Sequence, residues 1–200
     1  MAMESKQENQ NEHKERKKMN LLTYFKKTQI LPLLIAPALI ALATFTAAPA
    51  IATPVCGVVS ENLLAPVPAA HFPSGLLDLM CRDLPVWDLI TRVHGDSDLY
   101  VTRHTYQPGN HTGWHTHPGP SLITVVQGTL TIYEAADPTC TPRILTAGQS
   151  FTDIGCGDVH LVRNEGTSVA VDVAVQIVPA GAPRRIDAPA PGNCPTINCP

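Results

Sequence analysis

Gly109-Asn-His-Thr-Gly-Trp-His115-Thr-His117-Pro-Gly-Pro-Ser121-Leu-Ile-Thr-Val-Val-Gln-Gly128 decides how the rest of the chain is read. It sets two histidines two residues apart, just before a Pro-Gly turn and a β-rich run. In an extended strand alternate side chains share a face, so His115 and His117 point the same way. Two imidazoles on one face are half of a metal site. His160 is the third candidate ligand.

Outward from that stretch, segments of strand composition succeed one another at short spacing. They fall at 86–93, 99–106, 122–127, 129–133, 143–146, 149–152, 159–162 and 168–178, with Gly, Pro and Asn-Glu-Gly punctuation between them. The last is the most regular, with Val169, Val171, Val173, Val175 and Ile177 alternating with Ala170, Asp172, Ala174 and Gln176. There is no long amphipathic helix and no internal repeat. The pattern predicts an all-β sandwich or barrel over residues 85–180. A Pro-rich, irregular arm precedes it (53–84), in which Gly75–Cys81 reads as a short helix or an extended segment. A Pro-rich tail follows (181–200).

In two motifs the sequence resembles the cupin superfamily. The first, G-x5-H-x-H-x3,4-E-x6-G, is matched in spacing by Gly109, His115, His117, Ser121 and Gly128. The second, G-x5-P-x-G-x2-H-x3-N, is matched by Gly157, His160 and Asn164. Upstream, Gly155 stands where the proline is expected, and Gly148 is one residue too far away. The resemblance implies a jelly-roll β-barrel with His115, His117 and His160 converging as ligands inside one mouth. Neutral imidazole suits Fe, Mn, Ni, Cu and Zn, so the implied cofactor is a divalent transition metal ion of unspecified identity.

One position departs from the family. Ser121 stands where a ligating glutamate is usual, with Leu122 under the alternative spacing. A neutral hydroxyl is a weak ligand and brings no charge, which leaves a three-histidine site of net +2. Asp158, two residues before His160, is either a stand-in carboxylate or a turn residue after Gly157. His111 and His104 are candidates for acid/base groups at the mouth, although such residues are more often merely exposed or hydrogen-bonded. Trp114 reads as core, and Arg184-Arg185 as a solvated pair in the tail.

The first fifty-two residues differ in kind from the rest. Met1–Gln29 carry seven Lys/Arg against four Glu and lead into the apolar run Ile30–Phe45, then Ala50-Ile-Ala52. A basic start, an apolar centre and an Ala-x-Ala end are the parts of a secretory signal, and Met19 is an alternative start. The competing reading is an uncleaved membrane anchor, against which Pro32 and Pro37 argue. The expected location is secreted or periplasmic, and membrane contact is expected only if the leader stays. Residues 53–200 hold seven arginines, no lysine and thirteen Asp/Glu, a formal charge of −6. An acidic surface does not attract phosphate backbones, which speaks against nucleic acid as a partner.

All six cysteines (Cys56, Cys81, Cys140, Cys156, Cys194, Cys199) follow the leader. An even count in an exported domain predicts disulfides, with Cys140 and either Cys194 or Cys199 placed to staple the tail. Cys156 reads as a disulfide half. The functional expectation is a metal-dependent oxygenase of a small organic substrate, or else a non-catalytic cupin that binds metal or a small ligand. A homodimer is compatible with the N-terminal arm.

Overall fold

The computed structural model describes residues 52–83, 85–194 and 196–200. All but the last residue of the expected leader lies outside them. The described residues belong to one unit, Ala47–Pro200, and all their regular elements are strands. In chain order these are β1 (Val59–Asn62), β2 (Ala70–Phe72), β3 (Leu79–Asp83), β4 (Trp87–Thr91), β5 (Ser97–Tyr106), β6 (His115–Thr116) and β7 (Ser121–Gln127). They continue with β8 (Thr129–Glu134), β9 (Arg143–Thr146), β10 (Ser150–Asp153), β11 (His160–Arg163), β12 (Ala170–Pro179) and β13 (Ile186–Asp187).

Two antiparallel sheets make the barrel. One runs β1-β5-β12-β7-β10, with β2 also pairing β5, and the other runs β13-β6-β11-β8-β9. Their inner faces enclose a core of Tyr106, Val125, Leu130, Ile132, Phe151 and Val162 among others. Val125, Leu130 and Ile132 are wholly excluded from solvent, each contributing roughly 1.5–3 kcal/mol of hydrophobic stabilisation. Gly128 makes the turn from β7 to β8 at φ +71°, and a Cβ there would meet the Val169 carbonyl at 2.6 Å. A side chain is excluded on both counts.

The arm before the barrel is less irregular than its composition predicts. β1 and β2 both add to the edge of β5, whereas segment 86–93 was expected to be the first strand of the barrel. β4 instead pairs only with β3, as a two-stranded ribbon. Gly75–Cys81 runs from a turn into β3 and is not helical.

The tail folds back onto the barrel. β13 pairs with β6, and Ala188, Cys194 and Ile197 pack with Trp114, Tyr133 and Leu161 in a second apolar cluster. Disulfides Cys140–Cys194 and Cys56–Cys199 hold it there. Two disulfides fit an oxidising environment. Cys156 is a correction to the sequence reading: with Cys81 it is a free, exposed thiol. It sits in the Gly155-Cys156-Gly157 turn with φ +56°, facing solvent instead of another cysteine. No helix among the described residues is long and apolar enough to cross a membrane.

Candidate metal centre

The two short strands that carry the histidines lie side by side. β11 pairs with β6 so that His160 stands opposite His115, while His117 follows β6 by one residue. The ring centroids are 4.8 Å apart for His115–His117, 4.3 Å for His115–His160 and 5.6 Å for His117–His160. One nitrogen from each ring lies within 4.8 Å of the others, a span that one ion can bridge.

Two of the rings are oriented by backbone. His115 Nδ1 is 2.9 Å from the Gly113 carbonyl, and His117 Nδ1 is 2.6 Å from the Arg184 carbonyl. A carbonyl only accepts, so each Nδ1 carries the proton and each Nε2 keeps its lone pair. Burial holds all three imidazoles below their ordinary pKa, His160 at about 4 with the His117 charge as a second cause. Near neutral pH they are uncharged, the state that ligates.

The residue missed by sequence reasoning is Asp153, at the end of β10. Its carboxylate is almost completely buried and lies 3.6 Å from His117 Nε2 and 3.7 Å from His160 Nδ1. Asp153 Oδ2 and His160 Nδ1 have no hydrogen-bond partner. The unpartnered Oδ2 faces His117 Nε2, and the unpartnered His160 Nδ1 faces Oδ1, each across a gap too long for a hydrogen bond. The donor set of imidazoles and a carboxylate suits a transition metal.

The remaining candidates separate clearly. Ser121 and His104 line the same cavity of about 220 Å³ as the three histidines. His104 Nδ1 is 2.7 Å from Asp172, whose second oxygen accepts from the Tyr106 hydroxyl at 2.9 Å. His111 does not line the cavity; it is buried and bridges Cys56 and Arg163 by backbone. It is near Cys56 and Cys199, but their sulfurs are consumed in a disulfide. Asp158 is likewise absent from the cavity wall and closes the turn through its N–H to Gly155.

Arg184 and Arg185 are half-buried instead of forming a free solvated pair: both line the cavity, because the pairing of β13 with β6 turns the tail over the mouth. Arg184 donates to Gln176 and Thr102 and lies over the Tyr100 ring. Arg185 pairs with Asp187, while its Nη2 is buried without a partner.

The cupin-domain family model matches residues 102–176, the span from β5 to β12 that holds all three histidines. Residues 102–176 are a cupin domain by that match. No curated protein matches it. Among solved structures, the chain is similar to a cupin 2 conserved barrel domain protein from Leptotrichia buccalis. There the identity is 20%, covering 60% of this chain and 40% of that one, with TM-score 0.39. A cupin superfamily protein from Desulfitobacterium hafniense is 9% identical over 60% and 77% of the two chains, TM-score 0.37. An uncharacterised double-stranded β-helix protein from Klebsiella pneumoniae is 24% identical over 47% and 76%, TM-score 0.38. The cluster of His115, His117 and His160 lies inside the matched span.

Proposed function

We propose that this cupin binds one divalent transition metal ion through His115, His117 and His160 and acts on a small organic substrate in the adjoining cavity. The supporting observation is the convergence of three ring nitrogens within 4.8 Å, with Nδ1 of His115 and His117 already committed to backbone carbonyls. A bound ion supplies Lewis acidity and a template for substrate and co-substrate. The class of reaction this suits best is metal-dependent oxygenation.

The residues around the ion divide the remaining work. Asp172 holds His104 by Nδ1, which leaves His104 Nε2 to exchange a proton with substrate. The unpartnered Nη2 of Arg185 is a donor waiting for an acceptor, so the substrate is an anion, most simply a carboxylate. The cavity of about 220 Å³ limits it to a small molecule.

Elemental analysis of purified protein, followed by oxygen uptake against a panel of small carboxylic acids and their amides, tests the proposal. Stoichiometric metal with turnover of an acid is the expected result. Metal without turnover would favour the non-catalytic binding reading, and protein that takes up no metal would end both.

A further inference from the structure

Resting on that metal-binding reading, we propose that Asp153, delivered from β10, is the carboxylate donor to the ion, in place of the glutamate that Ser121 on β7 replaces. The two positions are directly opposite in the antiparallel register of β10 and β7. A carboxylate on the partner strand therefore reaches the level at which the motif glutamate would stand.

Orientation agrees. Asp153 Oδ1 accepts the Gly155 N–H at 2.8 Å, which fixes the carboxylate, and Oδ2 has no partner. Oδ2 is 3.6 Å from His117 Nε2 and Oδ1 is 3.7 Å from His160 Nδ1, both beyond hydrogen-bond length. Donors each about 2.0–2.2 Å from one ion are separated by about 3 Å when adjacent and about 4.2 Å when opposite. The gap from the free Oδ2 to His117 Nε2 falls between those limits.

Among the described residues no arginine or lysine pairs with Asp153, whose side chain is 2% exposed. A buried carboxylate without a cation is costly. Other acids nearby are already committed. Glu134, opposite His160 in register, pairs with Arg143, and Asp172 is taken by His104 and Tyr106.

Cobalt(II) titration of wild type, Asp153→Asn and Asp153→Glu, read by dissociation constant and by the visible absorption of the bound ion, tests the assignment. Asn is expected to weaken cobalt at least about tenfold and to shift the absorption bands, and Glu to restore most of the affinity. Asn with wild-type affinity and spectrum would overturn the Asp153 assignment alone. Wild type that binds no cobalt would overturn the metal reading with it. Crystals of cobalt-loaded wild type decide without any variant. An Asp153 oxygen in the ion's coordination shell supports the proposal, and a water in that place overturns it.

Discussion

His115 and His117 spend Nδ1 on backbone carbonyls, so their ring orientations are set by the chain before any ion arrives. Replacing His117 or His160 by alanine is therefore expected to cost more metal affinity than the roughly 10–100-fold typical of an outer partner, checked by competition with a chromophoric chelator. His104→Gln is expected to leave the ion in place and lower turnover by about 100-fold or more, measured as oxygen uptake at saturating substrate. A pH effect follows from the same burial. His160 titrates at about 4 in the fold against an ordinary 6.5, and His115 and His117 are also lowered. The unfolded chain then binds more protons across that window, so metal-free protein loses stability as pH falls from 6.5 toward 4. The Asp153 carboxyl, raised by burial, opposes this at the acid end. Urea midpoints of the metal-free protein between pH 7 and 4 check the sign. The histidines were legible because a two-residue repeat in a strand fixes a face. Asp153 was not, because its place depends on the register between β10 and β7, which no local pattern encodes.

β12 shows where strand alternation was readable and where its meaning was not. The period of two is present, but Ala170, Asp172, Ala174, Gln176 and Val178 are buried, and the intervening valines and Ile177 are only half-buried. Small and polar side chains on the inner face leave the cavity open and supply Asp172 and Gln176 to it, so function reverses the usual assignment of faces. A bulge between Val171 and Asp172, in the pairing with β7, lies beside this change. The tail was read as a loose Pro-rich segment because prolines hide its contacts. Its staple, however, was one of the two pairings considered for Cys140. Opening Cys140–Cys194 by a double serine substitution is expected to cost about 2–4 kcal/mol in chemical unfolding. Its further consequence is to loosen Arg184 and Arg185 at the mouth.

At the scale of the molecule, the β3–β4 ribbon leaves Met80, Val86, Trp87 and Ile90 more than half exposed, and an isolated two-stranded ribbon is marginal in water. The barrel itself was legible from strand spacing and two motifs; the ribbon's separation from it was not, since β1 and β2 had already taken the edge of β5. The whole account turns on one ion held by imidazoles from two neighbouring strands. Anomalous diffraction from crystals of metal-loaded protein, recorded at the absorption edge of the metal, measures that directly. The predicted result is a single peak about 2.0–2.2 Å from a ring nitrogen of each of His115, His117 and His160. A peak elsewhere, or none at full metal loading, would contradict it.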